Sequence, residues 1–193
     1  MTHDGAADDA ALTRAADDPA AFEALVARHS GVLHAYLDRR APHAADDLLA
    51  EVWLRAFAGR ASFDAARGTA RAWLYGVARH VLAEHWRTLG APVPAVGETA
   101  PVDPWHAVDQ RLDAQAVAPL IRRIMRELPA VERELLLLVI WEELTPAEAA
   151  AVVGIPQGTA RSRLHRARSR LRDALTPPGG AYAPAHRMTG DLT

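Results

Sequence analysis

The fold is decided by Thr145-Pro146-Ala147-Glu148-Ala149-Ala150-Ala151-Val152-Val153-Gly154-Ile155-Pro156-Gln157-Gly158-Thr159-Ala160-Arg161-Ser162-Arg163-Leu164-His165-Arg166-Ala167-Arg168. Its first four residues spell a capping box. Thr145 sits at the N-cap, Pro146 at the first helical position and Glu148 three residues on. A short helix follows over residues 147–153. Gly154 supplies the left-handed residue that ends it, and Ile155-Pro156 turns the chain. A second helix starts near residue 157 and runs to about residue 175. Two helices joined by a short glycine-containing turn make a helix-turn-helix.

The second helix has two faces. Leu164, Ala167, Leu171 and Leu175 line the apolar one, and Arg161, Ser162, His165, Arg166 and Ser169 lie on the other. Residues 156–175 hold six arginines and a single acid, Asp173. A helix that is merely solvated mixes both signs for i,i+4 pairing, and this one does not. Membrane-surface binding would want a wider apolar face and an aromatic anchor. Such a helix suits the DNA major groove, where arginine bridges guanine O6 and N7 and also holds phosphates.

Working outward, the chain reads as all-α. Residues 131–144 are apolar most of the way round and predict the central helix of the C-terminal unit. Another helix precedes it, from near Arg111 to Leu128, and Pro129 stops it. Residues 90–111 carry Pro92, Pro94, Pro101 and Pro104 with Gly90 and Gly97, which predicts an extended linker. N-terminal to it, Asp18-Pro19 opens a long amphipathic helix through Phe22, Leu25, Val26, Leu33 and Leu37. A second helix places Leu48, Leu49, Val52, Trp53 and Phe57 on one stripe. A third carries Trp73, Leu74, Val77, Val81 and Leu82 and ends near Gly90. The expected organisation is a disordered acidic arm (1–17), a helical domain (18–89), the linker (90–111), the helix-turn-helix domain (112–175) and a flexible tail (176–193). The arm is assigned from its Ala/Asp-rich composition.

Composition narrows the function. The 193 residues include no cysteine, which excludes disulfides, thiolate metal sites and a cysteine nucleophile. All 22 basic residues are arginine. The net charge of −2 hides the concentration of positive charge near the C-terminus. The N-terminus has no basic region followed by an apolar run, so no signal peptide is expected, and no apolar stretch is long enough to insert in a membrane. The histidine pairs His29/His34 and His80/His85 are each five apart, not at the i,i+4 spacing of a metal helix. There is no HExxH, P-loop or nucleophile elbow. No catalytic residue, metal or cofactor is expected, and the chain is not expected to be an enzyme.

The segment from Gly154 to Arg168 resembles the promoter-reading helix-turn-helix, region 4, of bacterial RNA polymerase sigma factors. It is most similar to the compact extracytoplasmic-function (ECF) group. Ala45-Asp46-Asp47-Leu48-Leu49-Ala50-Glu51-Val52-Trp53-Leu54-Arg55-Ala56-Phe57 resembles that family's region 2 core-binding helix, and Ala72-Trp73-Leu74-Tyr75-Gly76-Val77-Ala78-Arg79-His80 its promoter-melting helix. The motifs stand in family order over roughly residues 18–175.

The resemblance implies a cytoplasmic protein that binds core RNA polymerase and promoter DNA and is held by an anti-sigma factor. It implies −35 contacts by Arg161, Ser162, Arg163, His165 and Arg166. It implies −10 contacts by Arg71, Arg79, His80, Trp86 and Arg87, with the arginines on phosphates and the aromatic ring on unstacked bases. It implies polymerase contacts by Asp46, Asp47, Leu48, Glu51, Trp53 and Leu54. His80 stands where the family usually has asparagine, which leaves the −10 base preference open. The rival reading is a helix-turn-helix regulator that binds duplex DNA without polymerase.

Overall fold

The computed structural model describes residues 5–90 and 118–175; the expected linker and tail fall almost wholly outside them. The described residues form α1 (Gly5–Arg14), α2 (Glu23–Asp38), α3 (Ala45–Gly59), α4 (Ala70–Thr88), α5 (Ala118–Glu127), α6 (Ala130–Ile140), α7 (Pro146–Val153) and α8 (Gln157–Leu175). No strand occurs among them. No helix among them is long and apolar enough to cross a membrane.

The N-terminal unit packs α2, α3 and α4 around Leu25, Leu33, Leu37, Val52, Leu74 and Val81. Asp18 caps the chain as expected: its carboxylate accepts from the Ala20 N–H at 3.1 Å. Here it opens a 3-10 turn, Pro19–Phe22, that leads into α2. The C-terminal unit is built round α6, whose Leu135, Leu136, Leu137 and Leu138 are all buried. That helix ends at Ile140, four residues before the periodicity suggests. Glu143 takes a left-handed φ of 52°, and the residues around it form a tight turn into α7.

One expectation fails. Over its described part, residues 5–17, the acidic arm is ordered, because residues 5–14 form α1 against α2, α4 and the 3-10 turn. Leu12 and Ala15 are fully buried. Asp8 is buried beside His29, its carboxylate 2.8 Å from Nε2, and also pairs with Arg28. Asp9 accepts from the Ala70 N–H at 2.6 Å and so satisfies one of the unpaired donors at the start of α4. The arm is polar by composition but amphipathic in place. Its acids point at donors that lie 20 to 61 residues away in sequence.

A single buried cluster runs from Ala11 and Leu12 through both units to Leu164 and Ala167. The two units are therefore packed together, chiefly α4 against α7. Leu12→Ala is expected to lower the unfolding free energy by about 2–5 kcal/mol in chemical denaturation, the usual range for a fully buried leucine. A change below about 0.5 kcal/mol, the range of surface substitutions, would place α1 outside the folded unit.

Candidate nucleic-acid interface

The helix-turn-helix is made as its sequence requires. The Thr145 hydroxyl accepts from the Glu148 N–H at 3.2 Å, and the Glu148 carboxylate accepts from the Thr145 N–H at 2.8 Å. Gly154 adopts φ 77°, and Ile155 N–H reaches the Ala150 carbonyl at 3.0 Å, which closes a Schellman turn. Helix α8 then buries Ala160, Leu164 and Ala167 against its own domain. Arg161, Ser162, His165 and Arg166 are all exposed, so these expected −35 contacts share one open surface. Arg163 is half-buried and lies at its edge. Arg168 is exposed as well.

The expected −10 residues are less uniform. His80 and Arg87 are exposed on α4, and Arg79 is half-buried. Trp86 packs partly against the core, edge-on to His85 at 5.2 Å between ring centroids. His80 borders a cavity of about 460 Å³ shared with Ser62, Asp64, Arg67, Trp73 and Val77. Of the two tryptophans, Trp73 therefore lines the hollow beside His80, although its place on the apolar stripe reads as core. Asp64 and Arg67 were missed by the sequence reading. The available signal is the polar loop between Phe63 and Thr69, where Asp64 turns the backbone by accepting from Ala66 N–H at 2.9 Å.

On α3, Asp46 and Asp47 are exposed, and the Asp46 carboxylate lies 3.0 Å from His34 Nε2, from which it accepts when that nitrogen carries the proton. Leu54 is 68% exposed and Phe57 39%. Leu48 is buried, and Trp53 is half-buried edge-on to Phe22, so the open apolar surface of this helix is Leu54 with Phe57. Glu51 holds Arg55, which also reaches Glu84 on α4. Those two hydrogen bonds raise Arg55 above the ordinary guanidinium value, and Arg55 in turn lowers Glu84.

Arg71 is turned toward the C-terminal unit. Its guanidinium donates to the backbone carbonyls of Glu142 and Glu143, in the turn between α6 and α7. Around it lies a polar seam between the units. The Glu142 carboxylate, 2% exposed, accepts from Arg39 Nη2 with both oxygens at 2.7 Å. It also accepts from the Tyr75 hydroxyl at 3.3 Å and lies 3.6 Å from the buried Arg40. Arg40 stacks on the Tyr36 ring at 3.8 Å. Burial pushes both Tyr36 and Tyr75 well above the ordinary phenol value, so both stay neutral and the Tyr75 hydroxyl keeps the proton it donates. At the other end of the seam the Thr69 hydroxyl donates to Glu148 at 2.8 Å. Burial pushes Glu148 up, but bonds from the Thr145 N–H and from the Thr69 and Thr145 hydroxyls, with Arg71 nearby, leave it below the ordinary carboxylate value.

An arginine-faced helix-turn-helix joined to a helical unit with an acidic, apolar-tipped helix defines a promoter-recognition subunit of the sigma-70 type. Residues 25–91 match Sigma-70 region 2, and residues 119–171 match Sigma-70, region 4. The chain belongs to the ECF RNA polymerase sigma factors, which bind core polymerase and direct it to promoters. It is 40% identical over 129 residues to the ECF RNA polymerase sigma factor SigC of Mycobacterium tuberculosis, covering 66% of this chain and 68% of that protein. It is 32% identical over 160 residues to SigM of the same species, covering 81% and 78%. Its structure resembles CnrH, solved with the cytosolic domain of CnrY, at TM-score 0.58 and 25% identity over 88% of this chain and 97% of that one. It also shares the fold of Bartonella quintana RpoE, solved with the anti-sigma factor NepR, at TM-score 0.54 and 22% identity over 80% and 96%.

Two outcomes are expected from the seam. Glu142→Gln removes the counter-charge of Arg39 and leaves Arg40 only the more distant Glu134 at 3.9 Å, a loss of about 3 kcal/mol for a buried pair. The radius of gyration from X-ray scattering should rise as the units part; an unchanged radius would deny the seam its holding role. Glu148 has a lowered pKa when folded, so its contribution is present above the unfolded glutamate value and is lost as pH falls through its folded one. Thermal unfolding of the wild type should therefore drop more steeply on acidification than that of Glu148→Gln. Parallel pH curves would contradict this assignment.

Proposed function

We propose that α8 reads the −35 element, that α4 with the cavity beside His80 engages the −10 element, and that α3 docks on core polymerase. The observation that carries this reading is the exposed surface of Arg161, Ser162, His165 and Arg166 on the second helix of a helix-turn-helix, the element that enters the major groove in such modules. On α4, Arg79 and Arg87 are suited to phosphates and His80 to a base edge. The hollow bordered by Trp73 offers an aromatic wall to a base that has left the stack. On α3, Asp46, Asp47 and Glu51 flank Leu54 and Phe57, an apolar knob in an acidic frame. Leu48 and most of Trp53 serve the core instead.

Geometry also requires the chain to open. The −35 and −10 elements lie about 25 base pairs apart, roughly 85 Å at 3.4 Å per step. A small helical domain is only about 30 Å across, so two domains in contact do not span that distance. Arg67, Gly68 and Thr69 share a crevice of about 480 Å³ with Pro156 and Gln157, so the leading end of α8 lies against the other unit. That is the end from which recognition helices contact bases. Engaging both elements means breaking the Glu142 seam, and Arg71 becomes available to DNA only then. The solved relatives CnrH and RpoE were captured with CnrY and the anti-sigma factor NepR. By that likeness an anti-sigma factor is the expected partner here, acting in the cytoplasm. The chain supplies recognition and melting, not catalysis.

Run-off transcription with purified bacterial core polymerase tests the reading, on promoter fragments that include the region upstream of this protein's own gene. Transcripts are expected only when the protein is present. Arg161→Ala should weaken −35-dependent initiation by about 1–3 kcal/mol, the cost of losing a base-reading arginine. Tight binding to duplex DNA alone, with no transcript and no binding to core polymerase, would favour a regulator that acts without polymerase.

A further inference from the structure

The surface of α8 is not one field of arginines. At about 100° per residue, Ser162, His165 and Ser169 run along the middle of the face opposite Leu164 and Ala167. Arg161, Arg168 and Arg172 follow one edge of that line. Arg163, Arg166 and Arg170 follow the other. Two cationic edges flanking a strip of small polar groups match a groove with phosphates on both sides of the base edges.

The two edges differ in how they are held. Glu132, in the first turn of α6, has a side chain only 7% exposed. Its carboxylate accepts from Arg170 Nη1 at 2.7 Å and lies 3.6 Å from Arg166 Nε. Both arginines are otherwise more than half exposed. Arg166 and Arg170, one turn apart on this edge, thus converge on one carboxylate. A buried acid facing two exposed arginines fixes the direction in which they leave the helix. It also offsets part of the positive charge that would attract any phosphate chain regardless of sequence.

We propose that Glu132 is a positioning residue for −35 recognition: it sets Arg166 and Arg170 in register along one edge of α8 and restrains sequence-independent binding. This rests on α8 being the −35 reader. A merely structural Glu132 and a positioning one differ in sign. Loss of a structural support weakens binding to all DNA alike. Loss of a positioning acid frees two arginines, which raises affinity for arbitrary duplex while reducing discrimination.

The test uses holoenzyme assembled from core polymerase and the full chain. Binding is followed by fluorescence anisotropy on three duplexes: the mapped promoter, the same promoter with a scrambled −35 element, and a random sequence. Wild type, Glu132→Gln, Glu132→Asp and Arg166→Gln/Arg170→Gln are compared, with and without the added Glu132→Gln. Glu132→Gln is expected to cut −35 discrimination about fivefold, the size of a small base-pair mismatch effect. It should also steepen the dependence of log affinity on log salt for random duplex by about 0.9 for each arginine released. Glu132→Asp keeps the charge and should restore most of the discrimination. In the arginine double variant, adding Glu132→Gln should change nothing further. Equal loss on all three duplexes, or no change in discrimination and salt dependence, would overturn the proposal. So would Glu132→Gln retaining its effect without Arg166 and Arg170. If Glu132→Gln does not fold, Arg166→Gln/Arg170→Gln decides: unchanged discrimination overturns the proposal. Arg161→Ala separates the two levels, since its failure to affect −35 discrimination would remove the reading of α8 itself.

Discussion

The arrangement of this molecule depends on one buried carboxylate. Glu142 sits where the two helical units meet, with Arg39, Arg40 and the Tyr75 hydroxyl gathered round its buried carboxylate. Apolar contact between α4 and α7 supplies area, but area alone has no preferred direction. The charged cluster fixes how the units are oriented. The same turn presents its backbone carbonyls to Arg71, and Glu143 takes up a left-handed conformation beside them. Orientation, turn geometry and the fate of Arg71 are parts of one local solution.

That solution bears directly on function. Helix α4 both borders the cavity beside His80 and packs on α7, whose Ala151 closes part of that cavity. The N-terminus of α4 is capped twice, by Thr69, which accepts from Ala72 N–H, and by Asp9 from α1, which accepts from Ala70 N–H; the Thr69 hydroxyl in turn donates to Glu148. A helix placed to meet melted DNA is thus held by the arm on one side and by the reader domain on the other. When the domains part, the Asp9 and Thr69 caps remain, so the helix keeps its start while its flank is uncovered.

Much of the fold was legible because helices announce themselves locally. The capping box at Thr145, the left-handed Gly154 and the apolar row of α6 each involve residues a few positions apart. What was not legible involves long sequence separation. Nothing near Asp8, Asp9 or Leu12 signals that His29, Arg28 and the start of α4 will receive them, so an alanine- and aspartate-rich arm reads as disordered. Arg71 carries the signature of a phosphate contact, and only the fold shows its partner, 71 residues away. Leu48 and Leu54 look equivalent in sequence, and only packing separates the buried one from the exposed one. On α8 the open face was readable, whereas the pairing of Arg166 and Arg170 with one carboxylate required the position of Glu132.

The exclusive use of arginine has a consequence at the seam. Guanidinium groups remain protonated at any pH a cell reaches, and they offer no ammonium for acetylation. The cationic half of the Glu142 cluster is therefore constant, as is the charge along both edges of α8. Chemical control of when the units separate is left to the carboxylates or to a competing macromolecule that supplies its own acids to Arg39, Arg40 and Arg71.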